Sequence, residues 1–405
     1  MGRRKDFVDK TAIALVGGFV ALTLLLLFAA GSAAQEATPP AEENPASTPG
    51  AEGPEETSTP AALTLDDFVF GEPEVVLTHT HAIEIAGWLP DSERLLIIRS
   101  DYPNSTKEFV DIFNIYTGQL RHFGKRESSR SKPIWLPSLQ AVAYADTATA
   151  EFDKLRISFG ESKQELRIEG LSSLQIAVDS TGRRVIYFSQ AAKKRLQMFD
   201  VTRETMQASL VDLALREKPD EERPFVYKIA SHPKEAKVAI YNNYHFFLAD
   251  LDTGTIQEID LGTHLDGKLW AYNAEWSPDG RYLAMITTVG PPILPFTHLT
   301  VLDTGSGELR QIDLGLQYVA DVAWAPDSRH VVVRAVVDQE DGYNRYGLFL
   351  ADVVTGEIRR VLPSDVFSGG EWGWGLAWSP DGQWLITNCS NRTEGRICMA
   401  AVTVP

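Results

Sequence analysis

One phrase recurs along this chain at nearly even spacing and limits what it can fold into. It reads Trp276-Ser-Pro-Asp-Gly280 before RYLAMI, Trp324-Ala-Pro-Asp-Ser328 before RHVVVR, and Trp378-Ser-Pro-Asp-Gly382 before QWLITN. A fair copy begins at Trp88 (WLPDS, then ERLLII), and weaker ones surround Trp135-Leu-Pro137, Val178-Asp-Ser-Thr-Gly182 and Ser231-His-Pro233. Aligned on the proline position, which Ser180 fills in the third copy, the copies fall at 90, 137, 180, 233, 278, 326 and 380, a period of about 48 residues. Such a period marks a stack of equivalent supersecondary units, none of which buries its apolar surface alone.

Each copy reads as strand, tight turn, strand. Proline presets φ, the aspartate bonds the following N–H groups, and glycine accepts a positive φ. The run after the turn is apolar without alternation, as in a strand buried on both faces. A second phrase follows most copies: FNIYTGQLRHF, FLADLDTGTIQEI, LTVLDTGSGELRQI and LFLADVVTGEIRRV, each a hairpin around a Thr-Gly turn. Four antiparallel strands per unit match a propeller blade. The expected fold is therefore all-β, a seven-bladed β-propeller over residues 66–405, with six or eight blades as alternatives because copies two to four are degenerate. The last unit lacks its fourth strand, and FGEPEVVLTHT at 70–80 is expected to supply it, closing the ring and removing an open sheet edge.

The W-S-P-D-G phrase before an apolar strand resembles the PD40, or WD40-like, repeats of the TolB-type propeller family. Related repeats form the propeller of dipeptidyl peptidase IV-type serine peptidases. The resemblance implies a protein-interaction platform in the cell envelope. The chain departs from the TolB pattern, which places a separate α/β domain before six blades. No G-x-S-x-G elbow occurs, which argues against a peptidase of the second kind.

Residues 1–10 are basic, with Arg3, Arg4, Lys5 and Lys10. Residues 11–34 carry no charge, and 24 residues of helix span about 36 Å, enough to cross a bilayer core. The basic flank puts the N-terminus inside and the propeller outside. Ser32-Ala33-Ala34 also suits signal-peptide cleavage, which would make the protein secreted. Residues 35–62, rich in Pro, Glu and Thr and free of Lys and Arg, read as a solvated, disordered linker.

The net charge of −17 argues against nucleic acid as a partner. The expected role is that of a monomeric, non-catalytic binding or scaffolding module for an envelope or extracellular protein, or a cell-wall glycan. The alternative is an enzyme of extracellular polysaccharide or peptide metabolism, with its site at the channel mouth. The long connections (102–108, 211–226, 263–272, 289–298, 338–347, 363–375) all fall on one face of the ring, as in a binding face on a rigid scaffold. They carry Trp270, Tyr272, Phe296, Tyr343, Tyr346, Trp372 and Trp374, which either stack against a ligand or pack between blades. The repeat tryptophans Trp276, Trp324 and Trp378 are expected to wedge between sheets.

No cofactor or metal is expected. His79 and His81 share one side of an outer strand without a third ligand and read as solvated. The 338–342 segment with Asn344 lacks the spacing of a calcium loop. Cys389 and Cys398 flank the final hairpin, and either form a disulfide in an oxidising compartment or remain buried thiols.

Overall fold

The structure, a computed structural model, describes residues 63–405 except 101–106, 128–130, 147–152, 161–164, 172–174, 189–194, 214–227, 243–244, 261–268, 290–297, 316–317, 341–342, 363–374 and 392–393. The basic N-terminus (1–10), the apolar segment at 11–34 and the linker at 35–62 lie outside the described residues. Among the described residues no helix is long and apolar enough to cross a membrane.

Seven antiparallel sheets form a propeller ring. Blade one, for example, runs outward through Ile83–Trp88, Arg94–Ser100, Lys107–Asn114 and Leu120–Glu127. Blade six runs through Tyr318–Trp324, His330–Glu340, Tyr343–Asp352 and Ile358–Leu362. Blade seven takes three strands from the C-terminal end: Leu376–Trp378, Trp384–Asn388 and Gly395–Thr403. Its outer edge comes from the N-terminal side: Glu74–His79 pairs antiparallel with Gly395–Thr403, and Val69–Phe70 pairs further along the same strand. The strand expected at 70–80 thus fills the gap, broken into two pieces.

The turns follow from the repeat phrase. In blade five the Ser277 hydroxyl donates to Asp279 Oδ1 at 2.6 Å, Asp279 Oδ1 accepts from the Arg281 N–H at 2.9 Å, and Gly280 takes φ +82°. Blade seven repeats the arrangement with Ser379, Asp381 and Gly382. Where serine replaces the glycine it accepts the left-handed conformation and gains a bond to the preceding blade. Ser328 (φ +62°) accepts from the Asp279 N–H at 2.9 Å, and Ser92 (φ +56°) from the Asp381 N–H at 3.1 Å.

The core is divided. Seven buried clusters among the described residues are each shared by two neighbouring blades, the last joining blades seven and one through Ile386, Ile397, Ile83 and Ile85. This explains the apolar second strands: Val331 and Val333 face blade five, while Val332 and Val336 face blade seven. The repeat tryptophans lie in these layers. Trp276, Trp324 and Trp378 are 8%, 6% and 7% exposed. The Trp276 indole donates to the Ala230 carbonyl of blade four at 3.0 Å, and Trp324 to the Glu275 carbonyl of blade five at 2.9 Å. Trp378 instead turns back onto its own turn, donating to the Gly382 carbonyl at 3.1 Å.

Two expectations change. The 338–347 segment is not a loop: its strands run on to Glu340 and from Tyr343, so the hairpin extends past its neighbours. Trp270 and Tyr272, expected in a connection, belong to the strand Leu269–Trp276. Cys389 and Cys398 are joined in a disulfide with Cα atoms 5.7 Å apart, across the base of the final hairpin.

Candidate functional site

The connections sort by face. On one face the turns of the four clearest repeats have one length, from Trp88 to Arg94, Trp276 to Tyr282, Trp324 to His330 and Trp378 to Trp384. On the other face the gaps are long and unequal: Ser100 to Lys107, Asp212 to Lys228, Val289 to His298 and Leu362 to Leu376.

The aromatic residues expected to line that second face do not gather into one described cluster. Phe296, Trp372 and Trp374 lie outside the described residues. Trp270 and Tyr272 are placed on the inner strand of blade five, and Tyr343 opens the third strand of blade six. Tyr346 takes the packing alternative: it is 3% exposed and lies in the layer between blades six and seven. Its strand alternates with a period of two, and Tyr346, Leu348 and Leu350 all point into that layer.

A polar level on the innermost strands is the feature that reading the motifs missed. Glu84 pairs with Ile98, Lys228 with Tyr241, Asn273 with Ile286 and Asp321 with Arg334, all at equivalent heights in their blades. Two of them, Asn273 and Asp321, link neighbouring blades from inside. Asn273 Nδ2 donates to Asp321 Oδ1 at 3.4 Å, and Asp321 Oδ2 accepts the N–H groups of Gly375 at 2.9 Å and Leu376 at 3.2 Å. Asn388 Nδ2 then donates to the Ile83 carbonyl, tying blade seven to blade one.

Two carboxyl groups stand out on this wall. Burial pushes Glu84 up to about 7; the Glu108 charge adds to the rise, and Arg126 and Lys132 oppose it. Glu275 is also pushed up to about 7 by crowding of the surrounding protein, with Lys132 opposing and Asp321 adding. Glu275 nonetheless presents an exposed surface, so solvent screens its charge more than that of half-buried Glu84. Glu108 itself pairs with Arg126 Nε at 2.8 Å, and Arg126 donates further to the Ser131 carbonyl at 2.7 Å. The sequence signal for Glu275 is its place before the repeat tryptophan, where the matching residues are Gly87, Ile134, Ala177, Ala230, Ala323 and Ala377.

On the turn face, blades one and two leave an apolar cleft of about 220 Å³, walled by Trp88, Pro90, Trp135 and Pro137. Both tryptophans are half-buried here, unlike their counterparts in blades five to seven. His79 and His81 lie at the outer edge of blade seven with ring centroids 6.0 Å apart. Both are half-buried, and burial, followed by the Arg99 charge, holds His79 below the usual histidine range. Among the described residues no three His, Cys, Asp or Glu side chains converge as a metal site.

No family model matches the chain, and no curated protein does. Solved structures similar to it include a hydrazine synthase of Kuenenia stuttgartiensis, at 16% identity and a TM-score of 0.39, covering 56% of this chain and 58% of that one. That likeness is too low to bear on function, and the propeller assignment rests on strand pairing in the chain itself.

Proposed function

We propose that this protein is an extracytoplasmic binding or scaffolding module, a PD40-type propeller held at a membrane through residues 11–34 and reached across the linker at 35–62. Its partner is an envelope or extracellular protein, or a cell-wall glycan. The observation that carries this reading is the asymmetry of the ring: uniform turns at one end, long unequal connections at the other, on a scaffold closed by its own N-terminal strand. A rigid ring with variable connections at one end is suited to presenting a recognition surface.

The test is affinity capture by the full chain, compared with variants whose connections at 290–297 and 363–374 are replaced by short Asn-Gly turns. Loss of capture with an unchanged melting temperature supports the reading. Equal capture by the replacements overturns it. Carbonate extraction of membranes, with N-terminal sequencing of the mature protein, tests the anchor against cleavage.

Glu84 and Glu275 favour a second reading, an enzyme acting on polysaccharide or peptide at the channel. Carboxyl groups titrating near neutrality are suited to proton transfer. Glycan or peptide turnover abolished by Glu84→Gln or Glu275→Gln would establish it, and absence of turnover by the parent protein across both substrate classes would remove it.

A further inference from the structure

Arg334 occupies a core position. The residues at the matching rung of blades one, four and five are Ile98, Tyr241 and Ile286, each 1% exposed or less, and blade seven carries the half-buried Asn388 there. Arg334 is 3% exposed and points, like Val332 and Val336, into the layer between blades six and seven. The charge is retained there, because guanidinium does not deprotonate in proteins. A buried charge is tolerated when paired and hydrogen-bonded.

Arg126 follows that rule. It is 1% exposed, and its nitrogens reach Glu108 and the Ser131 carbonyl. Arg334 does not. Its Nε is buried without a hydrogen-bond partner, and among the described residues no acceptor makes a hydrogen bond or ion pair with its guanidinium. Asp321, opposite it in the ladder, is occupied elsewhere: Oδ1 takes the Val322 N–H at 3.0 Å and Asn273, and Oδ2 takes the N–H groups of Gly375 and Leu376. Burial holds the Arg334 pKa below the usual arginine range, against the opposing effects of Tyr346, Asp321 and Tyr318.

The surroundings are shaped to the guanidinium. Its carbon lies 4.2 Å from the centroid of the Tyr346 ring, which supports one face. Gly375 admits the terminal nitrogen, for a Cβ at that position would collide with Arg334 Nη1 and press on Asn388. A stacked guanidinium keeps its N–H edge free, and that edge matches the two oxygens of a carboxylate.

We propose that Arg334, backed by Tyr346 and admitted by Gly375, is a binding site for a ligand carboxylate at the junction of blades six and seven. The site takes one planar carboxylate on the guanidinium edge, with no covalent step. The inference rests on the binding-module reading for its biological meaning, and names the chemistry of one group that such a ligand carries.

The experiment measures the melting temperature of the full chain during titration with sodium acetate, glucuronate or N-acetylglycine, against sodium chloride at equal ionic strength. The expected result is a saturable rise of about 3 °C or more at a hundredfold excess over half-saturation, absent in Arg334→Met. A response to all three carboxylates assigns the site to the carboxylate itself. A stronger response to glucuronate or to N-acetylglycine assigns it to a uronate sugar or to a peptide terminus.

No rise beyond chloride, or an equal rise in Arg334→Met, overturns the proposal and leaves water as the source of the acceptors. Should Arg334→Met fail to fold, the Nε resonance of Arg334 in the parent protein, assigned by its loss in Arg334→Lys, gives the same answer. It shifts saturably with carboxylate and not with chloride, and an unmoved resonance overturns the proposal. Partner capture is scored separately: capture that depends on the long connections, with no carboxylate response, leaves the binding module standing and removes only this site.

Discussion

The Trp88 indole Nε1 donates to the Ala377 carbonyl at 3.4 Å, across 289 residues of sequence and across the seam of the ring. It is the same bond that Trp276 makes to Ala230 and Trp324 to Glu275, each indole reaching the inner strand of the preceding blade. The seam therefore uses the contact that joins ordinary neighbours. Closure adds the Ser92 hydroxyl under the Asp381 N–H, and the shared strand at the outer edge.

Trp324→Phe removes one donor and leaves the Glu275 carbonyl without that partner. A loss of about 1 kcal/mol is expected, and Trp324→Ala should cost about 3–5 kcal/mol because a cavity opens between blades five and six. Urea denaturation of both variants checks the ratio. Equal losses would mean that the indole N–H carries the whole effect.

The outer strand of blade seven should be needed for a sealed ring. Leu77 is packed in the layer between blades seven and one and pairs with Ile397. Leu77→Asp is expected to cost about 2–4 kcal/mol, since it sets an unpaired carboxylate in that layer. Deletion through His81 should expose Gly395–Thr403 as an edge and promote self-association, measurable by light scattering.

The Cys389–Cys398 bridge closes a short loop, with a sequence separation of 9. The chain-entropy relation gives a contribution of about 2–3 kcal/mol. Thiol titration of denatured, unreduced protein should find no free thiol, and two after reduction. Cys389→Ser with Cys398→Ser should lower the denaturation midpoint by the corresponding amount.

Glu84 should make stability fall with rising pH. Its carboxyl is raised from 4.5 to about 7 by folding, so the native state holds more protons than the unfolded chain between those values. Stability attributable to this group is therefore complete below about pH 4.5 and lost as pH rises through 7. Glu84→Gln should match the parent protein at pH 4.5 and exceed it at pH 8.5 by about 3 kcal/mol. Equal stability differences at the two pH values would show that Glu84 titrates normally. The same substitution at Glu275 should have a smaller effect, because solvent screens an exposed carboxylate.

Blade number, strand order, turn positions and the borrowed edge strand were legible because each depends on local chemistry repeated with one period. Proline, aspartate and glycine set a turn wherever they occur, and an apolar run beside them reads as a strand buried on two faces. The lining of the channel was not legible in the same way. Inner strands carry β-bulges, between Ile85 and Gly87, Ala271 and Asn273, and Val319 and Asp321. One inserted residue reverses which side chains face which neighbour, so alternation in sequence stops reporting orientation beyond it.

The same limit explains Tyr346. An aromatic residue near a variable segment suits either a ligand contact or packing between blades, and extension of the hairpin placed its ring inside the layer beneath Arg334. Aligning the repeats would have marked Arg334 and Glu275 as the charged residues at their positions, where other clear copies carry Ile98, Ile286 and Asn388 for the first and Gly87, Ala323 and Ala377 for the second. It would not have shown that Arg126 is paired and Arg334 is not. Sequence by itself determined a ring of repeated sheets and how it closes, because turn chemistry and burial pattern act over a few residues. Tertiary structure alone decided which charges share the inner wall and which lack a partner, because those residues come from different blades and meet only once the ring has formed.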